Sequence, residues 1–410
     1  MPRVRIASLV VLAVLPAACD DQPGSSDAAS PTEWITEPEY RIGDAVEGDA
    51  LFGRVPYLRV APSGHVFVVE AMASRVSVWT PAGEHIFSLG GPGEGPGDFM
   101  LPYKIHFEDT RFYVRDQSRF TWFGYDRKIL ETVPSPPTSV GWLGFPLRLD
   151  ALLADGSFLG LSLLPFSVRL GLLGDDPVDR KPLFSVRETE AGWVSEPVYW
   201  IDHRRSLYAI PHLEGNGYYF QGQPYWESDQ YQFDPTTGTV VVARVAGEGV
   251  GLGEADLIEV TARGDTTWRR RLRFEPVPVT PEMAAGEINA LVERARGMAG
   301  RDDVNQWVRH AREVIEQTVR VPRYAPAVKT LTMASSGQLW IRSHEMSDDT
   351  MSVWYSVDRG SESPPRRVLL PDWLFVRDAT DTHVWGVWRD ELDINYVVGR
   401  RLVPAPARGQ

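Results

Sequence analysis

Apolar and polar positions along this chain fall into a repeating unit. Five stretches share one order: a strand of alternating apolar and polar residues, a two-residue turn of small polar or Gly type, then a strand rich in Val, Phe, Tyr or Trp. The turns are Ser63-Gly64, Asp109-Thr110, Asp155-Gly156, Ser336-Gly337 and Asp381-Thr382. The interval is 46 residues from Ser63 to Asp109, from Asp109 to Asp155 and from Ser336 to Thr382. Four-stranded propeller blades recur at ~40–50 residues, so the interval is a blade period.

The second half of the unit repeats as well. Ser74-Arg75-Val76-Ser77-Val78-Trp79 is echoed by Ser118-Arg119-Phe120-Thr121-Trp122-Phe123, and Ser352-Val353-Trp354 recurs later. Each run meets a turn, at Pro81-Ala82-Gly83, Tyr125-Asp126-Arg127 and Asp358-Arg359-Gly360, before an outer strand such as the one opened by Ile86-Phe87. A four-stranded sheet cannot bury both its faces alone, so such units pack around a ring. The expected fold is an all-β, six-bladed β-propeller over residues 35–404, with seven blades as the alternative.

The middle of the chain is less regular. Ser206 to Val245 reads as another blade, and Asp256 to Phe274 as only a strand pair around Arg263-Gly264-Asp265. The last unit runs to Leu402, and Pro38 to Gly43 precedes the first as an isolated strand-like piece, so the two chain ends are expected to share one blade and close the ring. From 281 to 320 the period changes to a helical one. Thr280 is the expected N-cap with Pro281 in the first turn, and Ile288, Leu291, Val292 and Ala295, then Val304, Trp307, Val308, Ala311 and Ile315, recur at helical spacing. Gly297 and Gly300 are expected to divide this insertion into two helices whose apolar face packs on the propeller; a free partner-binding helix is the alternative.

The N-terminus changes the picture from fold to address. Arg3 and Arg5 precede an apolar run from Ile6 to Leu15, which reads as a signal peptide over 1–18 and is too short to span a bilayer. The one cysteine follows at once in Leu15-Pro16-Ala17-Ala18-Cys19, which resembles the lipobox of bacterial lipoproteins, with Pro16 departing from the usual Leu three places before the cysteine. That resemblance implies cleavage before Cys19 and lipidation of its sulfur. Ordinary cleavage near Cys19, leaving a free protein, is the alternative. Residues 19–34, rich in Asp, Ser, Pro, Gly and Ala, are the expected flexible tether. The protein is therefore expected on a bacterial membrane through its lipid, facing the periplasm or the exterior, as a monomer.

Charge excludes one class of partner. The net charge of −13 becomes −15 once Arg3 and Arg5 leave with the signal, and nucleic acid demands a basic footprint instead. With a single cysteine no intramolecular disulfide forms, and the fold is held by its core.

The run Leu89-Gly90-Gly91-Pro92-Gly93-Glu94-Gly95-Pro96-Gly97-Asp98-Phe99, followed by Pro102, resembles the inter-blade loop of bacterial six-bladed β-propeller lipoproteins related to NHL-repeat proteins. Gly337-Gln338-Leu339-Trp340-Ile341, Val384-Trp385-Gly386-Val387-Trp388 and Asp390-Glu391-Leu392-Asp393 are similar to the same group. The resemblance covers about residues 38 to 402 and implies fold and export; it implies little about activity, because propellers host unrelated functions.

Candidate chemistry is sparse. The Gly-rich loop lacks the Lys-Ser/Thr of a P-loop and leads into a strand, so no phosphate cofactor is expected there. Glu70 and Asp116 follow the second strand of their blades, where a carboxylate either binds a divalent cation in the channel or accepts backbone hydrogen bonds in the loop. The eight histidines show no zinc-site spacing, and no Gly-x-Ser-x-Gly elbow occurs. Arg269, Arg270, Arg271 and Arg273 around Trp268 form one basic patch, read as an outer edge strand guarded by charge or as a surface for an acidic partner. No metal or cofactor site is assigned. The expected function is a binding or scaffold module for an unknown ligand or partner protein, with Glu94, Trp142 and Trp226 in the irregular loops as candidate ligand contacts. The alternative is a propeller enzyme of lactonase or lyase type with a divalent metal in the central channel.

Overall fold

The computed structural model describes residues 33–43, 51–137, 140, 146–165, 169–170, 179–203, 206–214, 217–226, 228–247, 249–299 and 303–406. Residues 1–32, with Cys19 and most of the expected tether, lie outside them, as does Trp142; the tether's expected last residue, Trp34, is the first of a strand. The described chain is a six-bladed β-propeller with two helices in its C-terminal half.

Each blade is an antiparallel meander of four strands. Blade 1 is Tyr57–Val60, Val66–Glu70, Arg75–Trp79 and His85–Gly90. Blade 2 is Lys104–Phe107, Arg111–Arg115, Arg119–Gly124 and Ile129–Pro134. Blade 3 is Leu147–Leu152, Phe158–Ser162, Arg180–Thr189 and Gly192–Asp202. Blade 4 is Gln230–Asp234, Thr239–Arg244, Glu254–Thr261 and Thr266–Arg273. Blade 5 is Thr330–Met333, Leu339–Asp348, Met351–Val357 and Arg366–Pro371. Blade 6 takes Phe375–Ala379, His383–Arg389 and Asn395–Pro404 from the C-terminus and Trp34–Ile42 from the N-terminus.

The burial pattern explains the sequence pattern. Middle strands such as Val66–Glu70 and Arg75–Trp79 are covered on both faces by neighbouring blades and are buried at almost every position, whereas the outer strand His85–Gly90 buries only Leu89. Each pair of adjacent blades shares one apolar cluster. Phe67, Val69 and Val78 of blade 1 meet Phe112, Val114 and Phe123 of blade 2; Tyr113, Phe120 and Trp122 meet Leu149, Phe158 and Phe184 of blade 3. Leu159 and Leu183 meet Val240 and Ile258 of blade 4, and Val241 and Leu257 meet Leu331 and Ile341 of blade 5. Trp340 and Trp354 meet Val384 and Val398 of blade 6, and Trp385 and Val397 close the circle on Val66 and Val68 of blade 1. Six blades with six such interfaces make a closed ring.

Closure is also hydrogen-bonded. Trp34–Ile42 pairs antiparallel with the last strand from Trp34↔Pro404 to Ile42↔Val397, with one bulge between Pro38 and Tyr40. This covers an edge that would otherwise present free N–H and C=O groups. The repeated turn has a shared geometry: Gly64, Gly156 and Gly337 adopt φ of 84°, 80° and 84°, a left-handed region that favours glycine, and each donates its N–H three residues back.

Two expectations change in the middle of the chain. The unit expected from Ser206 to Val245 is not a blade: Leu207–Pro211 and Tyr218–Gly222 form a separate two-stranded hairpin. The strand pair expected around Arg263-Gly264-Asp265 is instead the outer half of blade 4, whose first turn, at Thr237-Gly238, had no 46-residue partner on either side. The cause is insertion: the hairpin separates blade 3 from blade 4, and two helices, α1 (Pro281–Arg296) and α2 (Val304–Thr318), separate blade 4 from blade 5.

Those insertions pack on each other. Tyr208 and Ile210 of the hairpin share one cluster with Leu291, Val292 and Ala295 of α1 and Trp307, Ala311 and Ile315 of α2. Trp307 donates Nε1–H to the Ala295 carbonyl at 2.6 Å. Thr280 and Asp303 cap the two helices by accepting from Met283 N and Gln306 N. The apolar helix face therefore meets the hairpin, where the sequence reading placed it on the blades themselves.

Candidate binding channel

The first strand of each blade lines the ring axis, where neighbouring first strands touch one another. Alternate residues of these strands point to opposite sides. Leu58 and Val60, Ile105, and Leu149 and Ala151 enter the inter-blade clusters. Arg59, Lys104, His106, Arg148 and Asp150 line the axial cavities. Because each blade zigzags from the axis outward, the first-to-second and third-to-fourth turns gather on one face of the ring. The second-to-third loops and the inter-blade linkers gather on the other. We call these the turn face and the loop face.

At the turn face the channel holds a cavity of ≈200 Å³ whose charges answer one another. Arg59 donates to Asp378 Oδ1 at 3.0 Å, to the Met333 carbonyl at 2.7 Å and to the Tyr57 hydroxyl at 2.8 Å. Asp378, fully buried, also accepts from Val60 N at 2.7 Å and Ser335 N at 2.6 Å. Arg359 pairs with Asp234 and Glu259 and donates to the Gly337 carbonyl. Burial pushes the imidazole of His106 down to about 4, so it adds no charge at neutral pH.

At the loop face a larger cavity of ≈600 Å³ is lined by Lys104, Arg148, Arg169, Lys181 and Arg377. Asp150 alone answers two of these, Arg148 at 2.9 Å and Lys104 at 3.8 Å. Arg169 donates to Ser206 Oγ. Among the described residues no carboxylate pairs with Lys181 or Arg377, and the buried Nε of Arg377 has no hydrogen-bond partner. Burial, and then the neighbouring Arg169 and Arg148 guanidiniums, pull Lys181 down to about 8. The other acid here, Asp229, accepts from Asp202 N at 2.9 Å, and burial together with the Asp202 charge raises it to about 6. His203, buried beside it, is lowered to about 4 by burial first and then by Arg169 and Lys181, and its Nε2 has no partner. In a chain of net charge −13, this mouth gathers five cationic side chains against two carboxylates, Asp150 and Asp229, among the described residues, a local excess of positive charge that attracts anions.

The candidate ligand residues separate. Trp226 lines the loop-face cavity. Glu94 is exposed and lines a different groove of ≈510 Å³ with Met100, Arg115 and Pro137; its backbone carbonyl, with those of Gly95 and Asp98, is held by Arg119. This braces the Gly-rich loop as a passage between blades. Gly90 is needed there, since a Cβ would come within 2.3 Å of the buried Phe99 ring. Asp116 accepts from Met100 N at 3.0 Å and Leu101 N at 2.6 Å, as a loop brace, while Glu70 pairs with Arg75. Among the described residues no three His, Cys, Asp or Glu side chains come together to hold a metal ion. The Arg269–Arg273 patch is spent internally: Arg269, Arg271 and Arg244 converge on Asp256, whose carboxyl is held far below its usual range by those hydrogen bonds, Arg271 first.

Sequence reasoning missed the cationic mouth because its members come from blades 2, 3 and 6, far apart in sequence. A usable signal was present in the first strands, where Lys104 and His106, and Arg148 and Asp150, stand two apart at positions facing the axis.

No family model matches the chain, and no curated protein matches it. Solved structures are similar to it at low identity. A member of the DUF4221 family from Bacteroides vulgatus has a TM-score of 0.46 at 8% identity, over 92% of this chain and 100% of that one. A Bacteroides fragilis protein named "Putative exported protein" has a TM-score of 0.41 at 10% identity, over 92% and 99%. Virginiamycin B lyase from Staphylococcus aureus has a TM-score of 0.39 at 10% identity, over 90% and 99%. At such values nothing about ligand or reaction passes to this chain.

Proposed function

We propose that this chain is an exported propeller, lipid-anchored at Cys19, that binds a small anionic ligand at the loop-face end of its central channel. The observation that carries the reading is the surplus of positive charge there among the described residues: Lys181 and Arg377 pair with no carboxylate, and Arg148 and Lys104 share Asp150, around a cavity of ≈600 Å³. Holding unpaired cations half-buried costs stability, and a bound anion recovers that cost. The address is supported by the apolar run that ends just before Cys19. The first strand of the described chain begins at Trp34, paired with Pro404 on the turn face.

Calorimetric titration with citrate, a compact trianion, tests the binding. The wild type should bind in a salt-dependent manner, and Lys181→Met with Arg377→Met should weaken binding at least tenfold without changing the circular dichroism. Absence of citrate binding, or equal binding by the double variant, overturns the reading. Detergent phase partitioning tests the anchor: the exported wild type should enter the detergent phase and Cys19→Ser the aqueous one.

A further inference from the structure

The two faces of the ring differ in apolar exposure as well as charge. On the loop face, the loops between second and third strands carry exposed Met72, Leu163, Leu252 and Leu392, with Met346 beside the equivalent turn of blade 5. On the turn face the first-to-second turns, from Pro62-Ser63-Gly64 to Asp381-Thr382, carry no large apolar residue, and the third-to-fourth turns expose Tyr125, with Ile86, Ile129 and Leu130 at the adjoining strand starts. Scattered exposed apolar side chains are ordinary; an exposed aromatic ring in the lining of a charged cavity is less so.

One aromatic side chain brings apolar character to the mouth itself, and a second stands on a strand that leads into it. Trp226 is 39% exposed and lines the same cavity as Arg148, Lys181 and Arg377. Phe375 is 52% exposed and stands two residues before Arg377 at the loop-face end of the first strand of blade 6, ahead of the bulge between Val376 and Asp378. From outside inward, a ligand therefore meets an apolar rim and then a cationic well.

We infer that the ligand is an anionic amphiphile, whose charged head sits among Lys181, Arg148 and Arg377 while its apolar chain lies across Trp226 and Phe375. The inference rests on the anion site proposed above and adds the nature of the rest of the molecule. Charge complementarity selects the sign of the head, since no carboxylate answers Lys181 or Arg377 among the described residues. The concave well of ≈600 Å³ suits a small head group rather than a flat protein surface. An apolar chain adds affinity in proportion to the area it buries, about fourfold for each buried CH₂.

The test uses the full chain carrying Cys19→Ser, so that no attached lipid competes. Ligand-observed NMR titration compares acetate, octanoate and octyltrimethylammonium below their aggregation concentrations. Octanoate should bind on the order of 50-fold more tightly than acetate, as expected for about three buried CH₂ groups, and the ammonium should not bind. Phe375→Ser and Trp226→Ser, both at exposed positions, should each bring octanoate back toward acetate. If octanoate and acetate bind within threefold of each other, the amphiphile is wrong and the anion site stands, leaving a purely polar ligand or a protein segment as occupant. If the ammonium binds as well as octanoate, or neither anion binds, both readings fall.

Discussion

The two ends of the channel are built from the same six strands and differ in how their charges are settled. At the turn face Arg59 has Asp378, and Arg359 has Asp234 and Glu259, with backbone groups completing each hydrogen-bond set. At the loop face Asp150 is divided between Arg148 and Lys104, and Lys181 and Arg377 have no such partner among the described residues. A buried charge that is fully paired holds a fold in register; a surplus charge in a cavity only costs stability unless something else binds it. The turn-face charges are thus structural ion pairs, whereas the loop face keeps a cationic surplus among the described residues.

The largest effect should come from breaking the settled end. Asp378→Ala leaves Arg59 buried without its carboxylate and removes the acceptor of Val60 N and Ser335 N, so denaturant unfolding should show a loss of about 3–5 kcal/mol. A loss under about 1 kcal/mol would place the turn face outside the structural core.

Asp229 sharpens the contrast from the other side. Its folded-state pKa of about 6 lies above the unfolded value, so the stability it contributes is complete below about pH 4 and is lost as pH rises through 6. Asp229→Asn removes that loss. The variant should be more stable than wild type by up to about 3 kcal/mol at pH 8 and should match it near pH 4. Thermal melts of both proteins across this range check the sign.

A smaller effect concerns binding and pH. Lys181 is pulled down to about 8, so it carries its proton below that pH and sheds it above. Citrate affinity should fall several-fold between pH 7 and pH 9 in the wild type and should be flat over this step in Lys181→Met. The smallest effect is on stability: Lys181→Met, which removes an unanswered cation, should leave the unfolding free energy unchanged or raise it by up to about 1 kcal/mol. A marked loss would mean that Lys181 has a structural role like that of Arg59.

Much of this fold was legible in the residues, and the reason is repetition. Blades 1, 2, 3, 5 and 6 each announce their first turn, from Ser63-Gly64 to Asp381-Thr382, because packing against two neighbours imposes the same buried middle strands each time. Blade 4 escaped because its turn at Thr237-Gly238 lies between two insertions, and the hairpin Leu207–Gly222, with its own alternation, imitates half a blade. Strand pattern alone cannot tell a blade strand from a hairpin strand that packs on helices; the partner that buries Tyr208 and Ile210 lies about 80 residues further on.

The site was far less legible. Of the loop residues singled out, Trp226 reaches the loop-face cavity, Glu94 belongs to a separate groove, and Trp142 lies outside the described residues. Lys104, Arg148, Lys181 and Arg377 read as ordinary strand polarity, since only the ring brings them to one mouth; Arg269, Arg271 and Arg273 look more like a site in sequence, yet each pairs with Asp256 or Glu254, and Arg270 donates to the Ser361 and Ser363 carbonyls.

The most direct test of that difference is to let an anion choose between the two ends. Crystals soaked in sodium bromide, measured at the bromine absorption edge, locate bound bromide by its anomalous signal. The account predicts a peak within contact of Lys181, Arg148 and Arg377 at the loop face and none beside Arg59 or Arg359 at the turn face. Bromide at the turn face with the loop face empty, or bromide confined to the outer surface, would contradict it.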